Sequence, residues 1–378
     1  MVIAMVQGAA DPRRDGVADY TRNLVGALRA AGEAVEPVPT GGSPASVLRA
    51  ARRIRALRPD LVHVQFAPSA FGFAPWVGLL PDLVPAPVVT TLHEYGWWAA
   101  PARMPTAVWS AVERRGWFDR ESWRLVPAGA AAVTTNAGHT GALRARFGID
   151  PVPIPLAPNV ADAGPQPRAA TRRRLGVPED AEVVAFFGFV HPVKGVRYLI
   201  EALAALRAAG RDRLHLLVLG GFTSLALPED EARAFRDELV QRTRAAGVGG
   251  HVTITGHLPA AEVSAALHAA DLAAFPFTAG ATTKSGALLS AFAHGLPTIV
   301  TPADPPDPEL VDGRTVVVAP RIRDAGVLVE AIARLLDDPV LRRRVAAGGA
   351  ALGAGRSWPA IAQAHRALYD RVPGRVRA

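Results

Sequence analysis

The chain contains no cysteine. That removes disulfides, thiolate metal ligands and thiol nucleophiles together, and it suits a reducing, cytoplasmic setting. No uninterrupted apolar run reaches the roughly 18–20 residues that a membrane-spanning helix needs. The opening residues Met1-Val-Ile-Ala-Met-Val-Gln-Gly lack the basic start of a secretory leader and read as a buried strand entering a glycine turn. Asp-x-Asp is absent, and no histidine–carboxylate spacing along the chain resembles a metal site. The expectation is chemistry without a metal or cofactor. No G-x-G-x-x-G follows the first strand, which disfavours a dinucleotide-dependent dehydrogenase. No basic run is interleaved with aromatics, so nucleic acid is not an expected partner.

What is present suits a globular protein. At 378 residues the chain fits two domains better than one core, and 49% hydrophobic against 20% charged residues provides enough apolar burial to order most of it. The formal charge is +8, with arginines scattered through alanine-rich segments. A solvated arginine-rich surface accounts for this; weak association with an anionic membrane surface or a phosphate-bearing substrate is the alternative. Five of the seven tryptophans lie between Tyr95 and Arg124. Core packing, acceptor contacts and membrane contact remain open for that segment.

Short β-branched or aromatic runs alternate with segments of helical period, the pattern of parallel sheets covered on both faces. The first series predicts strands at 2–6, 61–66, 87–92 and 131–135; the second predicts 183–187, 214–219, 252–255, 272–276, 298–301 and 315–318. Between them, 151–181 carries Pro151, Pro153, Pro155, Pro158, Pro165, Pro167 and Pro178, which suits a connector better than a helix or central strand. The expected division is a first domain at 1–160, a linker at 161–181 and a second domain at 182–356, with a terminal helix at about 357–378 returning to the first. Val196, Leu199, Ile200, Leu203 and Leu206 predict a helix at about 196–209 with one face on a sheet.

Ligands in open α/β sheets collect at the carboxyl ends of strands. Four loops there stand out. Gln7–Gly16 leads into a helix whose free N–H groups can face phosphate. His93 and Glu94 end the strand at 87–92. The run Phe187-Gly-Phe-Val-His-Pro-Val-Lys194-Gly195 places an ammonium group and two glycines before the helix at 196, an arrangement that a diphosphate would neutralise. Phe277 to Ser290 offers Thr282, Thr283, Lys284, Ser285 and Gly286 at another helix start.

Taken in order, Gly16-Val-Ala, Asp60-Leu-Val-His-Val-Gln, Val89-Thr-Thr-Leu-His93, Pro155-Leu-Ala-Pro-Asn159, Gly188 with Lys194-Gly195, Ala291-Phe-Ala-His-Gly-Leu-Pro297 and Ser357-Trp358-Pro resemble the family-4 type of retaining glycosyltransferase over nearly the whole chain. The resemblance implies an α/β fold of the GT-B kind, with two Rossmann-like domains facing a central cleft and a C-terminal helix crossing back. It implies transfer of a sugar from a nucleotide-diphosphate donor to an acceptor hydroxyl whose identity is unknown. It places Gly16 at the donor diphosphate, His93 at the transferred sugar, Lys194 at the phosphates and Glu309 near the nucleotide.

The chain departs from the family pattern at named positions. Phe189 stands where an arginine usually follows the glycine, Thr282 and Ser290 stand where two glutamates are usual, and Val160 follows Asn159 in place of glycine. Lys284 is then expected to neutralise phosphate in place of the arginine, and fewer donor hydroxyls need be gripped, as in a deoxygenated or deoxythymidine-linked sugar. The expected catalytic residues are His93, Lys194 and Lys284. The expected donor-binding residues are Gly16, Gly188, Phe189, Gly195, Thr282, Thr283, Ser285, Gly286, Ser290 and Glu309. The departures leave open a catalytically silent sugar-nucleotide-binding or partner-activating protein, and an epimerase as a third reading.

Overall fold

A computed structural model describes residues 1–8, 15–222 and 227–372. Most of the expected Gln7–Gly16 loop and the last residues of the expected terminal helix lie outside this range. The chain divides into two compact units. One comprises Met1–Leu156 and the stretch beginning at Trp358, and the other is Ala157–Ser357.

The first unit is built on a parallel sheet of β1 (Val2–Gly8), β2 (Ala34–Thr40), β3 (Leu61–Phe66), β4 (Val88–Leu92), β5 (Ala131–Thr134) and β6 (Val152–Pro153), in the order β2-β1-β3-β4-β5-β6. The central strands β3 and β4 are buried along their whole length, as a sheet covered on both faces requires. β2 was not anticipated because Pro37 and Pro39 interrupt it; at the sheet edge it pairs only with β1, where missing N–H donors are tolerated. The helix Trp358–Tyr369 returns to this unit and packs on the helix Gly16–Ala30, with Trp358 against Tyr20 at 5.1 Å between ring centroids.

The second unit holds β7 (Glu182–Phe187), β8 (Leu214–Leu219), β9 (Val252–Ile254), β10 (Leu272–Phe275), β11 (Thr298–Val300) and β12 (Val317–Val318), in the order β12-β11-β10-β7-β8-β9. Read from β9, this is the 3-2-1-4-5-6 order of a dinucleotide-binding sheet, with its topological switch point between β7 and β10. The helix predicted at about 196–209 spans Val196–Ala208 and buries Val196, Leu199, Ile200, Leu203 and Leu206, as its stripe requires.

The segment expected as a linker is part of this second unit, and the units divide between Leu156 and Ala157. Despite the prolines around it, Arg168–Arg174 is helical and buries Arg172. That guanidinium donates to the Ala269 carbonyl at 3.0 Å and the Ala181 carbonyl at 2.8 Å, and pairs with Asp271 at 2.9 Å. A buried cation held by this many acceptors anchors the segment in place of leaving it free.

Candidate functional site

In the second unit the site is built from the loops that leave β7 and β10 at the switch point. Gly188 ends β7 with φ of +134°, a conformation that a side chain would oppose, and its N–H donates to the Leu219 carbonyl at 3.0 Å. Val190 N–H donates to Gly221 at 2.9 Å, so the loop runs alongside the end of β8. A short turn over Pro192–Lys194 follows, then Gly195 at φ of +74°, where a Cβ would collide with the carbonyl of Pro276. Thr278 N–H donates to Val193 at 2.9 Å, and a Cβ added at Gly188 would meet that of Ala287 at 3.5 Å. Gly188, Phe189, Lys194, Gly195, Lys284, Ser285 and Gly286 therefore belong to loops that touch one another.

Lys194 is the distinctive group. Its Nζ sits 3.9 Å from the centroid of the Phe277 ring, and among the described residues it makes no ion pair. Burial pushes it down to about 8 from the ordinary lysine range. A half-buried ammonium that only a ring face compensates is poised for an anion.

The second loop is ordered by hydrogen bonds within it and to the 307–309 and 159–160 segments. Thr283 donates its N–H to Asp307 Oδ2 at 2.8 Å, and its Oγ1 lies 2.9 Å from the same oxygen and 3.1 Å from Glu309 Oε2. Both Glu309 oxygens accept from Arg356 at 2.7 Å. Thr283 is thereby joined to Glu309 directly and through Asp307, and Glu309 is held in turn by Arg356, a partner that sequence order hides because it is 47 positions further on. Lys284 is exposed, Thr282 Oγ1 accepts from its N–H at 3.4 Å, and Ser285 caps the helix Gly286–Ala293 by accepting from Leu288 N–H at 3.2 Å. A Cβ on Gly286 would fall on the Asn159 side chain, and Asn159 N–H donates to the Gly286 carbonyl at 3.1 Å.

Ser290 has no exposed surface. Its hydroxyl donates to the Gly286 carbonyl at 2.7 Å and accepts from Val160 N–H at 3.0 Å, so both sides of the group are committed to joining the 159–160 segment to the helix. Ser290→Ala leaves a buried N–H unsatisfied and is expected to cost about 1–3 kcal/mol. Urea unfolding of the variant checks this, with unchanged nucleoside-diphosphate affinity as the accompanying result.

His93 and Gly16 lie in the first unit. Gly16 opens the helix Gly16–Ala30, where among the described residues nothing lies within 4 Å of an added Cβ, and Asp15 caps that helix by accepting from Val17 N–H at 2.9 Å. His93 leaves β4 half-buried, with Tyr20 edge-on at 4.8 Å and its Nε2 2.8 Å from Gln65 Oε1. The Gln65 amide nitrogen faces His63 Nε2 at 3.1 Å and Met5 Sδ at 3.4 Å, which turns its oxygen toward His93. His93 Nε2–H therefore donates to that oxygen, and Nδ1 carries the lone pair. Burial, followed by the nearby His139 and His365, holds this imidazole down at about 3, so it is neutral across the physiological range. His63 continues the chain to Thr91 Oγ1 at 2.8 Å and Tyr369 OH at 2.6 Å. Gln65 and His63 are supporting residues whose role the sequence does not show, although both stand in the Asp60-Leu-Val-His-Val-Gln motif and are polar residues at alternate positions of a fully buried strand.

The aromatic segment divides by role. Trp109 is buried, and Trp123 donates from Nε1 to the Ala100 carbonyl at 2.8 Å, whereas Trp97 and Trp117 are exposed.

Residues 36–164 match the Glycosyltransferase Family 4 model, and residues 181–338 match that of Glycosyl transferases group 1. The D-inositol 3-phosphate glycosyltransferase of Kineococcus radiotolerans is 30% identical over 350 residues, which cover 87% of this chain and 75% of that protein. Among solved structures, sucrose-phosphate synthase (tll1590) from Thermosynechococcus elongatus superposes with a TM-score of 0.73 at 20% identity over 98% of each chain. Anabaena Alr3699/HepE, in complex with UDP and glucose, superposes at 0.71 and 16% identity, over 98% of this chain and 99% of that one. Two parallel Rossmann-like sheets, a switch-point loop carrying Lys194, and these likenesses agree: the chain belongs to the family-4-type glycosyltransferases of GT-B fold.

Proposed function

We propose that this glycosyltransferase takes a nucleotide-diphosphate sugar as donor, binds it in the second unit, and transfers the sugar to an acceptor hydroxyl with retention and without a metal ion. The observation that carries the donor assignment is Lys194, whose half-buried ammonium lies against Phe277 at the switch point, flanked by glycines whose backbone permits close approach. In the reaction the bond from the anomeric carbon to the diphosphate oxygen breaks, the bond to the acceptor oxygen forms on the same face, and the acceptor proton passes to the departing diphosphate. Lys194, Lys284 and the N–H groups at the start of the helix Gly286–Ala293 stabilise the charge that develops on that leaving group. In the first unit His93, neutral and with Nδ1 as acceptor, is able to accept a hydrogen bond from a hydroxyl. The retaining course and the metal-free leaving group follow the resemblance to the family-4 type.

The donor assignment has a pH signature. With Lys194 at about 8 in the free protein, about half of it is neutral at pH 8. A bound diphosphate raises its pKa, so binding takes up as much as about half a proton per site at that pH. Affinity is then greatest below pH 8 and falls as pH rises through and beyond it. Calorimetric titration of UDP, GDP, ADP and dTDP against their nucleosides, in two buffers of different ionisation enthalpy, reads both properties. The expected result is one diphosphate bound far more tightly than its nucleoside, with buffer-dependent heat. Equal affinity for nucleoside and diphosphate would sink the assignment.

A further inference from the structure

Three side chains that take no part in the donor chemistry converge elsewhere in the second unit. Asp162 lies just beyond the division between units, His268 lies near the end of the helix Ala260–Ala269, and His294 caps the C-terminal end of Gly286–Ala293. One ligand atom from each lies within 4.8 Å of the others. His268 Nε2 is 2.6 Å and His294 Nε2 is 3.9 Å from Asp162 Oδ1, and the two rings meet at 61° with centroids 4.9 Å apart.

The surroundings orient these groups. His294 Nδ1–H donates to the Ser290 carbonyl at 2.7 Å, which leaves Nε2 as the bare nitrogen on the Asp162 side. A backbone carbonyl holding the far nitrogen of a histidine is the usual support for a metal-ligating ring. Ser264 Oγ accepts from Ala163 N–H at 3.0 Å and so presents its proton to His294 Nε2 at 2.8 Å, a hydrogen bond that a cation would replace. Gly164 N–H donates to Asp162 Oδ1 at 2.8 Å and fixes the carboxylate.

We propose that Asp162, His268 and His294 form a binding site for a divalent transition-metal ion of the zinc type, with three protein ligands and the remaining position open to water. Two imidazoles and one carboxylate suit that class and not magnesium or calcium, which prefer all-oxygen shells. Ligand atoms of a tetrahedral zinc ion stand roughly 3.4 Å apart at its usual bond lengths, so the 2.6 and 3.9 Å separations are adjusted by rotating the exposed Asp162 and the half-buried His268 about the buried His294. The ion would clamp the 162–164 turn and the helix Ala260–Ala269 to the end of Gly286–Ala293. That helix has 8 residues and so is about 12 Å long. Its length separates the ion from the donor loop at its other end, so the ion braces the unit and is no Lewis acid for the leaving group. No local spacing shows this site, because Asp162 and His268 are 106 positions apart.

The test uses the full, untagged chain, dialysed against a chelator and titrated calorimetrically with Zn2+, with Mg2+ and Ca2+ as controls and thermal unfolding in parallel. The expected result is one tight equivalent of Zn2+ that raises the unfolding temperature, with no response to Mg2+ or Ca2+. His268→Gln and Asp162→Asn should each weaken that equivalent more than about 100-fold, since losing a ligand exceeds the usual cost of losing a supporting group. Their metal-free unfolding curves confirm that both variants fold. Absence of a tight equivalent in the native chain, or its retention by either variant, overturns the proposal.

Discussion

Lys194→Ala is expected to weaken nucleoside-diphosphate binding by about 10–150-fold, which corresponds to the 1.5–3 kcal/mol of a charge-assisted hydrogen bond. Nucleoside affinity should not change, because the proposed partner of the ammonium is the diphosphate. Turnover should fall further, by about 100–1000-fold, since charge on the leaving oxygen grows toward the transition state and one donor aimed at it is lost. The fold should not suffer. The free protein bears a cost for the cation, as its pKa of about 8 shows, and among the described residues no carboxylate is left unpaired by its removal. The unfolding temperature of Lys194→Ala should therefore match or exceed that of the parent near pH 7, where the buried charge is most costly. A variant that loses nucleoside and diphosphate affinity together, with a lowered unfolding temperature, would show that Lys194 holds the loop and does not grip the donor.

The same loop shows how far the sequence could be read. The place of Lys194 in the fold was legible because everything that sets it is local: a hydrophobic strand before it, glycines at 188 and 195, and an amphipathic helix immediately after. Both strand series were legible for the same reason, since buried parallel strands are continuous apolar runs. β2 was not, because Pro37 and Pro39 look like turn residues until the edge position that tolerates them is known. Arg172 was hidden likewise. Prolines on either side made its segment read as a connector, and only the distant Asp271 and the Ala269 carbonyl reveal an anchored helix.

Ser290 illustrates the limit within the site. Resemblance placed it with the donor, but which face of an eight-residue helix looks outward depends on what covers the other, and Val160 lies 130 positions away. Glu309 is tied to Arg356, and the Asp162, His268 and His294 cluster is dispersed along the chain, for the same nonlocal reason.

Arg146→Met is expected to produce the largest loss of stability of any single change considered, about 3–5 kcal/mol near neutral pH. Arg146, on the helix Ala137–Phe147, lies 3.1 Å from Asp119 Oδ1 and 2.6 Å from Glu121 Oε1, with its guanidinium over the Tyr95 ring at 4.7 Å. Both carboxylates have no exposed surface. They tie the two ends of the tryptophan-rich segment together: Asp119 accepts from Tyr95 OH at 2.9 Å and from Ser122 N–H at 2.8 Å, and Glu121 accepts from Gly96 N–H at 2.9 Å. Methionine fills much the same volume but leaves two buried negative charges without a counter-ion. Burial already raises the pKa of Asp119 and Glu121 from their ordinary values, and removing Arg146 raises both further. The folded variant then binds more protons than the unfolded chain between the unfolded and folded values, so its stability falls as pH rises through that window. Denaturant unfolding should show the deficit shrinking as pH falls, because protonation neutralises the pair. Adding Asp119→Asn and Glu121→Gln should recover a large part of the loss, because the penalty belongs to uncompensated charge and not to the missing guanidinium's packing. A deficit independent of pH that survives the triple substitution would instead assign the role to the stacking of Arg146 on Tyr95.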